Sequence, residues 1–212
     1  MGRTERKELE KQKMQKLILD TAMRLFLEEG FENITIRHIA QEIEYSPATI
    51  YLYFKDKDEI LYTLHREGFE ELYRRQQTIL SIDDPLKRLR RHGEIYASFA
   101  LENPEYYDLM FIMRNFVKIK EKKEWDVGLR SYEFLSRNIK ECMEAGKFPE
   151  VDINMATFAL WSYVHGMVSL IIRDRCIMFP ERDANHIVKE ALDFMLDNIL
   201  DKSRNLDHIK KE

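Results

Sequence analysis

The sequence predicts an all-α protein with about nine helices, and three observations support this fold class. The chain of 212 residues has only seven glycines and five prolines, and nearly all of them stand where a helix would begin or end. No alternating run of β-branched residues lies between turn signals, so the pattern predicts no strand. Apolar residues instead recur at the three- and four-residue spacing of helices that bury one face.

The composition is typical of a globular chain with a sizeable core. Hydrophobic residues make up 44% of the sequence and charged residues 34%, a balance that argues against a disordered chain. The two cysteines are Cys142 and Cys176, and no secretory leader precedes them. We therefore expect a cytoplasmic protein in which both are reduced and buried as small apolar side chains, with a redox role as the alternative.

The segment from Thr35 to Lys57 organises the N-terminal part of the chain. Thr35 can cap one helix, and Ser46 followed by Pro47 can start a second, because proline at the first helical position loses no hydrogen bond. Only Glu44 and Tyr45 separate the two helices, which must therefore cross steeply, as in a helix-turn-helix. The apolar face of the first of them consists of Ile36, Ile39, Ala40 and Ile43.

The second helix is short, because Asp56 and Glu59 form a capping-box pattern that starts a third. It is predicted to run from Pro47 to Tyr53, with Ile50 and Phe54 facing the core. Its other side chains form a small, partly hydroxylic surface that suits base edges and methyl groups. These side chains are Ala48, Thr49, Tyr51 and Leu52.

The pattern Thr-x-x-x-Ile-Ala followed by Ser-Pro-x-Thr-Ile-Tyr-x-Tyr-Phe-x-x-Lys resembles the DNA-binding domain of the tetracycline-repressor (TetR) family of bacterial regulators, over roughly Lys11 to Leu61. The resemblance implies that the short helix reads the major groove of double-stranded DNA while residues beside it hold phosphates. The implied base-reading residues are Ala48, Thr49 and Tyr51. The other implied DNA-binding residues are Thr35, Arg37, Ser46, Pro47, Tyr53 and Lys57, of which Tyr53 and Lys57 are expected to hold phosphates.

The turn between the two helices departs from the family pattern. Family members usually have Ala-Gly-Val-Ser there, whereas this chain has Ile43-Glu44-Tyr45-Ser46, which places a glutamate where a left-handed glycine is favoured. We therefore expect a strained or reshaped turn. Tyr45 either packs beneath the short helix, which is the preferred interpretation, or reaches a phosphate with its hydroxyl group.

The charge of the chain favours DNA binding through its placement and not through its total. The net charge is -4, and residues 1–57 carry ten basic and ten acidic side chains. Basic residues crowd the N-terminal arm and a helix predicted to begin near Lys11 and to end at Gly30, whereas acidic residues gather at the far end of that helix, at Glu28, Glu29 and Glu32. An N-terminal domain without net charge can therefore still offer a positive face to phosphates. The basic residues are Arg3, Arg6, Lys7, Lys11, Lys13 and Lys16.

Residues 58–212 are predicted to form an effector-binding and dimerisation domain that follows a DNA-binding domain of residues 1–57. One long helix from Asp58 to about Leu80 connects the two. Capping residues followed by proline, at Asp84 and Asn103, start the next two helices. The remaining helices are expected at about 125–145, 153–172 and 183–201.

The helix from Ile153 to Ile172 has no formal charge over its twenty residues, which is the length of a membrane span. We reject a membrane span, because polar residues interrupt it and because a helix covered by its own domain and by a partner has the same composition. The sequence therefore predicts a homodimer through a four-helix interface of the last two helices. The interrupting residues are Asn154, Thr157, Ser162, His165 and Ser169.

Aromatic and methionine side chains in the middle helices are candidates for the pocket of a small apolar effector, although ordinary core packing is the simpler role for most of them. Trp161 and His165 belong to a Trp-x-x-x-His-Gly sequence that resembles a signature in one group of the family's C-terminal domains. A lone histidine on an apolar helix is more often structural. The candidates are Tyr96, Phe99, Met110, Met113, Phe134, Trp161 and His165.

The sequence offers no catalytic set, glycine-rich phosphate loop or metal-ligand motif, so we predict no catalytic residue, metal or cofactor. The pairs His92–Glu94 and His186–Glu190 have a spacing that arises often by chance. The favoured function, implied by the resemblance, is a ligand-responsive repressor that binds a palindromic operator as a homodimer. A small all-α enzyme with His165 as its base, and a helical adaptor that contacts no DNA, are the alternatives.

Overall fold

The computed structural model describes residues 2–113, 126–180 and 183–209, and for residues 200–209 only the backbone. These residues form nine α-helices and no strand, so the predicted fold class is confirmed. The helices are α1 (Arg3–Glu29), α2 (Ile36–Glu42), α3 (Pro47–Tyr51), α4 (Lys57–Gln77), α5 (Pro85–Glu102), α6 (Pro104–Tyr107), α7 (Asp126–Glu144), α8 (Ile153–Ile172) and α9 (Ala184–Ile209). Two 3-10 turns (Phe31–Asn33 and Thr78–Ser81) and a π turn (Asp108–Ile112) lie between them.

The chain divides into two compact units. The first unit comprises Met1–Phe69 and Glu105–Glu124, and the second comprises Glu70–Pro104 and Trp125–Glu212. Helix α4 supplies its residues 57–69 to the first unit and its residues 70–77 to the second. The start of α4 thus packs with the N-terminal helices, and the domain boundary expected at residue 57 stays a prediction.

The core of the first unit explains why the start of α4 and the π turn belong to it. Leu109 of the π turn is fully buried among side chains of α1 to α4. Gly68 makes this packing possible, because a Cβ atom there would lie 2.5 Å from Met110 Sδ and 2.9 Å from the Tyr106 ring. The other fully buried side chains of this core include Ile18, Phe26, Ile39, Ile50 and Leu64.

The helix predicted to start after Asn103 is only one turn long. Helix α6 ends at Tyr107, and the chain continues as the π turn, which the hydrogen bond from Met113 N to Asp108 O closes at 2.9 Å. The wider turn accompanies the burial of both Leu109 and Met110. This local change of helix type depends on tertiary packing and has no signature in the sequence pattern.

In the second unit α5 packs against α7, α8 and α9. Asp84 caps α5 by accepting hydrogen bonds from the amides of Leu86 and Lys87, as its position before Pro85 predicted. Arg90 of α5 pairs with Asp193 and Asp197 of α9, and Arg88 pairs with Glu141 of α7. A second core cluster fills the space between these helices and contains Leu89, Ile139, Cys142, Phe148, Ala156, Leu160 and Leu196.

The two cysteines lie in different environments. Cys142 is fully buried, and burial raises the pKa of its thiol to about 11, so the sulfur stays protonated at neutral pH. Cys176 lies in the segment between α8 and α9 and is partly exposed. The expectation of an inert apolar side chain therefore fits Cys142 better than Cys176.

Candidate DNA interface

Two N-caps hold the helix-turn-helix, and both were predicted. Thr35 Oγ1 accepts a hydrogen bond from His38 N at 3.1 Å and begins α2. Ser46 Oγ accepts one from Thr49 N at 3.2 Å and begins α3, with Pro47 in its first position. Each cap satisfies an amide that the helix itself leaves unpaired. The local sequence therefore fixes where both helices start.

The turn between α2 and α3 is a Schellman-type ending with an unusual residue in it. Tyr45 N donates to Ala40 O at 2.9 Å, and Glu44 N donates to Gln41 O at 3.1 Å. Glu44 has φ 60°, the left-handed conformation that glycine adopts at no steric cost and that costs other residues about 1–2 kcal/mol. The expected strain is thus present at Glu44. Tyr45, expected to pack beneath α3, keeps 46% of its surface exposed.

Helix α3 buries one side and exposes the other. Ile50 and Phe54 are buried in the core of the first unit, as predicted. Tyr51 is 58% exposed and Leu52, the residue after the last helical one, is 79% exposed. Ala48 is exposed as well, and Thr49 is half-buried. The base-reading residues that the family resemblance implies therefore lie on the accessible side of α3, and Leu52, which it does not single out, lies there with them.

The implied contacts on α2 are accessible too. Thr35 and Arg37 are exposed at the start of α2, and Ser46 is exposed at the start of α3. Pro47 is half-buried. Arg37 is the cation among these residues, and an exposed guanidinium beside a reading helix can hold a DNA phosphate.

The structure gives Lys57 a role that the sequence did not reveal. Its Nζ donates hydrogen bonds to Phe31 O at 2.8 Å and to Ile34 O at 3.1 Å, and it lies 4.2 Å from the centre of the Phe31 ring. An ammonium group has three protons, so one is left for a phosphate. Lys57 thus fastens the start of α4 to the segment after α1, and the phosphate contact stays a prediction.

Tyr53, the second expected phosphate ligand, is half-buried and packs against the core of the first unit. With Tyr62 and Tyr106 it lines a cleft of about 530 Å³ between α1, the start of α4 and α6. Tyr106 Oη donates a hydrogen bond to Glu67 at 3.1 Å across this cleft. Tyr53 thus lies beside both α3 and the cleft, and its contact with phosphate stays a prediction.

Three of the predicted effector residues meet in the second unit. Tyr96 Oη lies 2.9 Å from His165 Nδ1, and the Trp161 and His165 rings are 5.9 Å apart. Tyr132 packs edge-on against Trp161 at 6.2 Å. Burial, followed by the positive charge of Arg173, lowers the pKa of His165. A neutral imidazole in an aromatic cluster suits an apolar effector better than an acidic one.

The other predicted effector residues are distributed over both units. Phe99 is buried beside the guanidinium of Arg75, and Phe134 is buried between the rings of Tyr73 and His92. Met110 and Met113 belong to the first unit, where both pack with its core, whereas the other five candidates belong to the second.

A buried polar chain in the second unit was not predicted. Ser131 Oγ donates to Gln76 Oε1 at 2.9 Å, and the Gln76 amide lies 3.0 Å from His92 Nε2. His92 Nδ1 has no hydrogen-bond partner within the part of the chain that the structure describes. Burial lowers the pKa of His92 to about 4. Glu94, two residues after His92, pairs with Arg91 at 2.6 Å.

Comparison with known families agrees with the geometry of the first unit. Residues 18–63 match the family model described as bacterial regulatory proteins, tetR family. Residues 89–196 match the model described as tetracyclin repressor-like, C-terminal domain. The first match contains both caps, the turn and α3, and the second runs from within α5 to the middle of α9.

Individual relatives are distant in sequence but similar in fold. The regulator AcrR of Shigella flexneri is 26% identical over 75% of this chain and 78% of its own length, whereas the match to YuxN of Bacillus subtilis spans only 33% of that protein. The crystal structure of PfmR from Thermus thermophilus, 27% identical, covers 85% of this chain and 97% of its own with a TM-score of 0.72. The structure of FadR from Bacillus subtilis in complex with stearoyl-CoA is 18% identical and covers 85% of this chain and 97% of its own, with a TM-score of 0.70.

Proposed function

Because the chain belongs to the TetR family of DNA-binding transcriptional regulators, which are not enzymes, we propose that it is a cytoplasmic, homodimeric repressor of a palindromic operator. A small apolar effector bound by the second unit would release it from DNA. The accessible side of α3, in a helix-turn-helix whose two helices both begin at a side-chain cap, is the observation that carries the DNA-binding part of this proposal.

The apolar surface of α8 and α9 supports the homodimer. Helix α8 is long and apolar enough, by length and composition, to cross a membrane, and only 28% of its most apolar 18 residues are buried. Most of this apolar stretch is therefore available to a partner subunit. Phe158 and Leu170 of α8 and Phe194 of α9 are exposed. A two-fold axis through such a surface would bury it in both copies and would present two α3 helices to the two halves of a palindrome.

The aromatic cluster around Trp161 supports an apolar effector. The similar FadR structure contains stearoyl-CoA, which makes an acyl compound the first class to test. An effector releases the protein only if it binds one arrangement of the dimer more tightly than the DNA-bound arrangement. Such a difference in affinity would shift the population of the dimer away from the operator.

DNA binding is tested by fluorescence anisotropy with the duplex upstream of the protein's own coding region. We expect Arg37→Ala to weaken binding to all sequences alike. The variant should also reduce the slope of log K against log salt concentration by about one, the effect of one lost phosphate contact. Tyr51→Ala should weaken binding to the preferred sequence by about 1–3 kcal/mol and should affect unrelated duplexes less. Unchanged affinity in both variants would rule out this assignment of the interface.

The effector class is tested by thermal unfolding and by release from DNA. Stearoyl-CoA at about 100 times its Kd should add about 2.7 kcal/mol to the free energy of unfolding and should raise Tm by several degrees. Free coenzyme A, which lacks the acyl chain, is the matched control and should do neither. Trp161→Ala should abolish the response while DNA binding persists. An equal response to both compounds would contradict an apolar effector.

A further inference from the structure

The side chains at the tip of the helix-turn-helix lack the groups that usually read bases. Between Ser46 and Phe54 the sequence contains no Arg, Lys, His, Asn, Gln, Asp or Glu. Those are the side chains that make paired hydrogen bonds to guanine or adenine or accept from cytosine. Helix α3 must therefore discriminate between bases by some other interaction.

The two hydroxyl groups at the start of α3 are already engaged. Ser46 Oγ accepts from Thr49 N at 3.2 Å and lies 3.0 Å from Thr49 Oγ1. Thr49 is also half-buried. These hydroxyls hold the helix start together, and the other exposed side chains of the tip are Ala48, Tyr51 and Leu52.

Leu52 is unusual among these three, because a purely apolar side chain is 79% exposed at that point. Its neighbour Ile50 is fully buried, so the core takes one apolar side chain from this turn and leaves the other in solvent. The major groove offers one apolar group, the C5 methyl group of thymine. Contact with it would remove apolar surface of both partners from water.

We propose that Leu52 is a specificity-determining residue that packs against a thymine methyl group in the major groove. The inference rests on the proposed use of α3 as the reading helix. It assigns the operator a thymine opposite the C-terminal end of α3 in each half-site. A missing methyl group should weaken binding by about fourfold, since one buried carbon group of this size contributes about 0.8 kcal/mol.

The experiment begins with selection of preferred duplexes from a random library by the full-length protein. Each thymidine of the preferred duplex is then replaced singly by deoxyuridine, which pairs in the same way but lacks the C5 methyl group. For the unchanged protein we expect at least one replacement to weaken binding about fourfold. For Leu52→Ala, the methylated and unmethylated duplexes should bind equally at that position.

Leu80→Ala is the matched control, because it removes the same atoms from another exposed leucine, in the second unit. This variant should keep the fourfold methyl effect. Thermal unfolding of Leu52→Ala should match the unchanged protein, since the removed side chain is mostly in solvent. Absence of any methyl effect in the unchanged protein, or its persistence in Leu52→Ala, would overturn the role of Leu52 while leaving DNA binding intact. Failure to select any duplex would overturn the proposed function as well.

Discussion

Lys57 donates two of its ammonium protons to the carbonyl oxygens of Phe31 and Ile34 and lies above the Phe31 ring. Its position at the end of a family motif indicates a phosphate ligand. Its contacts indicate that it also has a structural role, which does not depend on DNA. The sequence could not reveal this, because Phe31 and Lys57 are far apart in the chain and meet only through folding. The two hydrogen bonds of Lys57 are charge-assisted and are therefore stronger than neutral ones.

We expect Lys57→Ala to lower the free energy of unfolding by about 2 kcal/mol in the absence of DNA, because two carbonyl oxygens lose a charged donor. Urea unfolding followed by circular dichroism measures this change. Lys55→Ala is the control, since Lys55 is exposed and its hydrogen bond to Glu59 comes from the backbone amide, which alanine keeps. The change in the free energy of unfolding for this variant should stay within about 0.5 kcal/mol. Equal stabilities for the two variants would show that the contacts of Lys57 do not stabilise the fold.

The starts of the helices were predictable because the signals are local. Thr35, Ser46 and Asp84 each cap a helix from a position that the sequence alone identifies, and Glu44 adopts the left-handed conformation that the glycine of the family pattern implies. Capping depends on residues three positions apart, so no tertiary information is needed.

The interactions between helices were not predictable from such signals. Gln76 of α4, His92 of α5 and Ser131 of α7 form one buried chain, and no spacing in the sequence indicates it. The effector candidates were therefore chosen by residue type, and the structure assigns them to two units.

Two buried histidines predict that acid destabilises the protein. Burial lowers the pKa of His92 in the second unit and of His65 in the first to about 4, from an ordinary value of 6.5. Above about pH 6.5 both are neutral in the folded and unfolded states, so their contribution is fully present. As the pH falls from 6.5 towards 4, only the unfolded chain takes up the protons, and stability decreases. Each histidine should remove about 2 kcal/mol between about pH 7 and about pH 5.

The histidine contribution is isolated by a substitution. His92→Gln keeps a side chain that can bond to Gln76 but cannot be protonated, and it should reduce the loss of stability on acidification by about 2 kcal/mol. Urea unfolding at the two pH values measures the difference. An equal loss of stability in His92→Gln and in the unchanged protein would mean that His92 is protonated in the folded protein.

At the scale of the whole molecule, the apolar surface of α8 and α9 predicts the assembly. Phe194 is 70% exposed on α9. A charge introduced into a two-fold interface appears twice, so Phe194→Glu should convert the proposed dimer into a 25.6 kDa monomer. Light scattering after size-exclusion chromatography measures the mass. Leu80→Glu, at an exposed position outside α8 and α9, should remain dimeric, and a monomeric unchanged protein would contradict the proposed interface.

The unequal surroundings of the two cysteines have a practical consequence. Maleimide dyes react with accessible thiolates. Cys142 is completely buried and its pKa is raised, so its thiol should not react with these dyes at neutral pH. Cys176, partly exposed beside the last two helices, remains for labelling. The natural sequence thus provides one attachment point for a fluorophore, and subunit exchange or effector titration can be followed by energy transfer without introducing a new cysteine.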